Sequence, residues 1–460
     1  MEFRHLSLSN SMRVQPIEET TPPREMLNME SAMEGVVVKA WGIICLSIAF
    51  TWQLYTNWLL VQLHESSSGA RYSRYLQLAI VSFGPRLGKG LCLFPVLYLS
   101  GGTCTTFIIT TGSIIKKLLE IVCDDGTRCN PNALSATELY LIFVCVAIMI
   151  ARLPNFNSVA WISLIGVVTA IVYTSLIWTV PLTKDRPIHI SYTKSEEMES
   201  DAGQAMGIVG ALGIITLAFR GHNLVVEIEG TLPSSSMRPS SKTMWRAVTT
   251  SYTIIALCLF SIAIGGFWAY GTLIPTRGML DALVDFHGHR SFKPLLCIIY
   301  IMIIINILCC FSLYAMPVFD NLELQATTIR KAPCPWWLRT LLRLFFGCIT
   351  FFISVAFPFL PELSAQLGGM TMPLAYVYPC FMWIAMRRSK RHGSTWWISL
   401  ILGCLGACVS VLVVASAIWD LVKNGLHANF FHSNTLRLCL IWRYGSRIEY
   451  DIRSGSISHV

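Results

Sequence analysis

The chain has 460 residues, of which 54% are hydrophobic and 13% charged, whereas a soluble domain carries about 25% charged residues; an ordinary water-soluble globule is excluded. The formal net charge of +9 sits in short segments between apolar runs. There it is a topological bias beside anionic lipid, and no recognisable nucleic-acid fold accompanies it.

Residues 1–35 are polar for most of their length, contain Pro16, Pro22 and Pro23, and are predicted as a disordered segment. Arg4, Arg13 and Arg24 are accompanied by Glu18, Glu19 and Glu25, unlike an acidic-poor transit peptide, and no compact apolar core marks a secretory signal. Residues 36–425 form a single transmembrane region. Apolar runs long enough to cross about 30 Å of hydrocarbon recur at about 36–63, 91–115, 138–154, 158–181, 204–229, 244–270, 294–316, 338–360, 363–386 and 396–422. Trp58, Trp178, Trp268, Trp383 and Trp397 sit at their ends, where amphipathic rings anchor at the headgroups. Residues 70–83, ARYSRYLQLAIVSF, are too short to span, carry Arg71 and Arg74, and are predicted as an amphipathic surface helix. Residues 426–460 read as an atypical tail, because Leu436 to Trp442 is short and interrupted by Arg437.

Lysine and arginine are concentrated in alternate loops. Arg71, Arg74, Arg238, Lys242, Arg330 and Lys331 lie on one side with the MRRSKRHGS cluster of Arg387, Arg388, Lys390 and Arg391, which makes that side cytoplasmic and both termini external. Most of the sixteen cysteines fall inside predicted spans and behave there as small apolar residues. Cys123 and Cys129 flank DDGTR in a loop on the external side, where a disulfide persists; a bridge and two free thiols both fit. Cys309 and Cys310 are adjacent and lack nearby histidines, so no metal site is predicted, and no cofactor.

The stretch LAFRGHNLVVEIEGTLP, residues 217–233, places Arg220, His222 and Glu227 in or beside an apolar run. Charged groups at mid-bilayer cost at least about 2.5–3.5 kcal/mol and face a cavity or a partner. A continuous helix over 204–229 is about 39 Å long at 1.5 Å per residue, which puts Arg220 to His222 just past its middle. Gly221 loosens the backbone, and Asn223 is placed to N-cap a second half-helix beginning LVVE, whose amides would face an anion. The competing reading has Gly221 as a kink, His222 as a satisfied bundle histidine and Arg220 paired with Glu227. His222 has an unperturbed pKa near neutrality, and Glu227 reaches that range if burial raises its own, which makes these two the candidates to carry a proton.

The run AFRGHNLVVEIEGTLPSSSMRPSSKTMWRAVTTSYTIIALCLFSIAIGGFWAYG closely resembles the lysine/histidine-transporter-like branch of the plant amino acid/auxin permease family. LSIAFTWQLYTNWLLVQLHE, RYSRYLQLAIVSFGPRLG, LPNFNSVAWISLIGVVTAI, YAMPVFDNLE and LGGMTMPLAYVYPCFMW support it, covering about residues 41–425. The resemblance implies an all-α, eleven-span protein of LeuT type that moves amino acids with protons, commonly at the plasma membrane. Such folds pair inverted repeats, each opening with a broken helix that holds substrate near the midplane. Substrate contacts are thereby expected from Arg220, Gly221, His222 and Asn223. SGGTCTT at 100–106 and FSLYAM at 311–316 resemble the cavity-lining third and eighth helices, which adds Tyr314; small-residue helix packing explains the first equally well. Asp320 and Glu323 fit a gate or helix terminus. The family's first broken helix has no counterpart here, MESAMEGVVVK standing in its place, so about ten spans, impaired transport and an incomplete gene model are expected. The other readings are a non-transporting amino acid sensor and an integral-membrane enzyme using His222 with Asn223. The enzyme needs a second polar group within hydrogen-bond reach, and none is recognisable.

Overall fold

The computed structural model describes residues 24–65, 70–123, 133–152, 156–184, 186–187, 190–192, 201–234, 239–275, 278–287, 292–360, 364–387 and 393–424. Among them the chain is all-helical, apart from one isolated bridge between Glu65 and Arg71. Helix α1 (Arg24–Leu63) is followed by the short α2 (Tyr75–Phe83), α3 (Pro85–Cys123), α4 (Ala136–Ala151) and α5 (Phe156–Thr183). Then come α6 (Asp201–Ala218), α7 (His222–Thr231), α8 (Ser240–Tyr270), α9 (Met279–His287), α10 (Lys293–Arg330) and α11 (Trp336–Ala356). The last are α12 (Ser364–Met372), a π-helical turn (Pro373–Val377), α13 (Tyr378–Met386) and α14 (Ser394–Asn424).

Among the described residues, eight helical tracts are long and apolar enough to cross a membrane. The shorter α4 and the α12–α13 tract occupy the other two predicted runs, so each of the ten runs is helical. Helix α1 begins at Arg24, ahead of the predicted onset at 36; residues 1–23 and 425–460 lie outside the described residues. Helix α2 is no span, but neither does it lie wholly on the surface. It buries Tyr75, Leu78 and Ala79, and the Tyr75 hydroxyl donates to Leu374 O at 2.8 Å. Its apolar face meets protein because Leu78 and Tyr75 share a core with Leu59, Val96 and Met382.

Helix α10 is the structural axis, packing Phe311, Ala315 and Phe319 into one core with Ile108 of α3, Phe143 of α4 and Phe346 of α11. The opposite surfaces are apolar and open, as at Trp161, Leu257, Phe352 and Val411, as a face turned to lipid requires. Between membrane helices the drive to associate comes from close packing and interhelical hydrogen bonds. Small residues matter accordingly: a Cβ on Gly368 of α12 would overlap the backbone oxygen of Gly213 in α6. Gly368→Ala must separate those helices, and overpacking costs about 1–3 kcal/mol. Its thermal midpoint in detergent should fall below that of Gly207→Ala, where a Cβ meets nothing within 4 Å. Equal midpoints would remove this contact from the account of stability.

One end of the bundle is tied by Glu323 of α10, which pairs with Arg339 at 3.2 Å and Arg343 at 3.6 Å of α11, while Arg343 Nη1 donates to Ala151 O of α4 at 2.9 Å. Glu323 is therefore a helix-end tie. At the other end Lys117 of α3 pairs with Asp281 of α9. Cys123 is disulfide-bonded; Cys129 lies outside the described residues.

Candidate substrate site at the broken helix

The span Ala205–Thr231 is interrupted near its midpoint. Helix α6 ends at Ala218, and α7 begins at His222. Gly221 is the N-cap, with φ 140° and ψ 4°, a backbone region essentially restricted to glycine. A Cβ there would meet nothing within 4 Å, so the position needs glycine for its dihedral and not for room. Gly221 O accepts from Leu224 N at 2.9 Å and Val225 N at 3.2 Å, which starts the new helix one residue after the glycine. Asn223, predicted as the cap, consequently lies inside the first turn. The first two amides of α7, those of His222 and Asn223, have no intrahelical acceptors, and its positive dipole end opens at the break.

The last carbonyls of α6 are held by side chains of other helices. Tyr252 of α8 donates its hydroxyl to Phe219 O at 2.8 Å, and Gln53 Nε2 of α1 donates to Thr216 O at 3.1 Å. Gln53 Nε2 also donates to the Tyr376 hydroxyl of the π turn at 2.8 Å. Gln53, Thr56 and Asn57 are all fully buried, and their i, i+3, i+4 spacing sets them on one face of α1. Asn57 Nδ2 donates to Gln53 O at 2.8 Å and to the Tyr252 hydroxyl at 2.7 Å, and it lies 3.0 Å from His222 Nε2. Thr56 Oγ1 is 3.0 Å from the same nitrogen. The two Asn57 Nδ2 hydrogens are taken by Gln53 O and by the Tyr252 hydroxyl, which itself donates to Phe219 O, so Asn57 leaves none for Nε2; Thr56 Oγ1 meets that ring nitrogen, and the ring's other nitrogen is Nδ1. That buried Nδ1 has no partner among the described residues. The competing reading of a satisfied bundle histidine is therefore met on one ring nitrogen only.

The sequence reading did not single out this α1 face. Its signal was present in AFTWQLYTNWLL, where polar residues recur at helical spacing inside an apolar run.

Arg220 occupies the break itself. Its guanidinium carbon lies 5.3 Å from the Tyr314 ring centroid and 5.7 Å from that of Phe107, and no acidic side chain pairs with it among the described residues. Glu227, in the second turn of α7, has Asp320 of α10 and Arg74 as its charged neighbours, so the suggested Arg220–Glu227 pair is not formed. Arg220, Gly221 and His222 line a small recess together with Leu99, Thr216, Thr371, Leu374 and Ala375. Tyr314 joins through Arg220. Asn223 is fully buried, and neither its oxygen nor its nitrogen finds a partner among the described residues. In the SGGTCTT segment, Cys104 Sγ lies 3.8 Å from Phe311 O, and Thr105 O accepts from Ser354 at 3.4 Å, both helix-packing contacts.

Residues 40–423 match the family described as transmembrane amino acid transporter protein. Lysine histidine transporter-like 8 of Arabidopsis thaliana is 46% identical over 392 residues, covering 85% of this chain and 75% of that protein. Lysine histidine transporter-like 7 of the same plant is 42% identical over 395 residues, covering 85% and 80%. A solved structure, MhsT in complex with L-phenylalanine, has 11% identity and a TM-score of 0.41 over 83% of this chain and 91% of that one.

Proposed function

The chain belongs to the transmembrane amino acid transporter family, and from that premise we propose that it is a proton-coupled symporter of lysine and histidine in the plasma membrane. The protein is multi-pass, and its family and relatives are transporters and not enzymes. The observation that carries the substrate reading is Arg220, a guanidinium at a mid-span helix break with no carboxylate partner among the described residues. A permanent charge at such depth calls for a counter-charge, and an amino acid carboxylate supplies one in bidentate geometry. The leading amides of α7 face the same break and favour the same anion. On the LeuT-type plan, alternating access exposes a fixed central site to each side in turn; the Lys117–Asp281 and Glu65–Arg71 pairs would close its two ends.

Uptake of labelled lysine and histidine by cells expressing the 460-residue chain, at two external pH values, tests this reading. Saturable uptake that increases at the lower pH is expected. Saturable binding without flux would make the protein a sensor, and neither binding nor flux would overturn the substrate assignment.

A further inference from the structure

A second buried polar site lies where α7 ends and α8 begins. Glu229 is fully buried, its Oε1 lies 3.3 Å from Ser240 Oγ, and its Oε2 has no hydrogen-bond partner among the described residues. The same Ser240 Oγ lies 3.0 Å from Glu65 Oε1. A serine hydroxyl has one proton to donate and cannot serve two carboxylates. With both ionised, one of the contacts would set oxygen lone pairs against each other, and Glu229 would hold a buried charge with one oxygen lacking any donor, an arrangement proteins avoid by neutralising the group.

We propose that Glu229 is a buried proton site, its carboxyl hydrogen donated to Ser240 Oγ while Ser240 donates its own to Glu65, so that a single exchangeable proton is held between two carboxylates.

The surroundings assign the proton to Glu229 and the charge to Glu65. The Glu65 carboxyl is held below the usual carboxylate range by a hydrogen bond from Ser234, then by Ser240 and by Arg71, whose Nε lies 3.6 Å from Glu65 Oε1. Arg71 approaches Glu229 through the backbone, Nη2 donating to Glu229 O at 3.4 Å and to Leu232 O at 2.8 Å. Glu65 and Arg71 are the charged groups facing Glu229. His64 stands beside that pair, buried, with its Nδ1 2.8 Å from Tyr72 O and its Nε2 without a partner among the described residues. Glu227, on the same helix, turns to Asp320 and Arg74.

Transfer follows the hydrogen bonds. The Glu229 O–H bond breaks as that proton joins Ser240 Oγ, and the original hydroxyl proton of Ser240 joins Glu65 Oε1. Serine is unchanged, Glu229 becomes the anion and Glu65 the acid. The Glu65 side chain is 28% exposed, so the last step delivers the proton to water, on the side that the loop charges make cytoplasmic. In this role Glu229 is the last buried stop of the coupling proton, an assignment that rests on the symporter reading above.

The test compares the full chain with Glu229→Gln, whose amide N–H still donates to Ser240, in proteoliposomes. Infrared spectra at neutral pH should show a protonated-carboxyl C=O band in the wild type that the variant lacks. With one proton per substrate, a gradient of one pH unit drives about tenfold accumulation of labelled histidine, and the variant should only equilibrate it. An unchanged carboxyl band, or accumulation by the variant equal to wild type, overturns the proposal. A band that disappears in the variant, in a protein that moves no amino acid, would retain the proton site and reject the symporter reading.

Discussion

Arg220→Ala should lower the apparent affinity for amino acid by about thirtyfold or more while leaving the protein at the cell surface, if the proposed carboxylate contact holds. Arginine stays ionised at any accessible pH, and here it stands mid-span against two aromatic faces. Cation–π attraction supplies about 2 kcal/mol at a desolvated site, below the cost of a charge at that depth on most scales, so the site is incomplete without an anion. Removing one member of a buried, hydrogen-bonded charge pair costs about 2–5 kcal/mol, or roughly thirtyfold to a few thousandfold. Arg220→Lys keeps the charge but loses the planar fork and should fall between the two. Concentration dependence of labelled uptake, normalised to surface protein, measures it. If both variants show wild-type kinetics, Arg220 serves packing alone.

Tyr252→Phe, a change of one oxygen, should lower both thermal stability and uptake. That oxygen donates to Phe219 O and accepts from Asn57 Nδ2. Its loss leaves a buried carbonyl at the helix break and an amide proton without partners, at about 1–3 kcal/mol each. The break also loses one of the two side chains that hold the end of α6. Tyr300→Phe is the matched control: the Tyr300 hydroxyl is buried without a partner among the described residues, and its removal should be neutral or stabilising. Equal thermal midpoints for the two variants would mean that the backbone holds the break by itself.

What was legible at the broken helix shows where local pattern suffices. Gly221, between Arg220 and His222 in an apolar run, marked an interruption, because glycine weakens a helix interior just where a charge calls for a cavity or a partner. The position of the break followed; its register did not. Asn223 is a good capping residue by type, yet the φ of 140° at Gly221 starts α7 a residue earlier and carries Asn223 into the helix. Glu227 was drawn to the site by proximity in sequence, but a helix separates neighbours by direction, and it faces Asp320 and Arg74 instead.

The sequence by itself determined the all-helical architecture, the ten apolar runs and the family, because each depends on the length, period or identity of contiguous residues, which survive without knowledge of any contact. Only the tertiary structure decided which polar atoms meet. Asn57 and His222 are 165 residues apart in sequence and their side chains lie 3.0 Å apart; Glu65 and Ser240, separated by 175 residues, lie at the same distance. Such pairings are set by helix rotation and crossing, which in a membrane depend on close packing at residues such as Gly368 and Gly213, and no local period encodes them. Whether a buried histidine or carboxylate is satisfied is a property of those pairings, and so the candidate substrate and proton sites take their form only in the folded bundle.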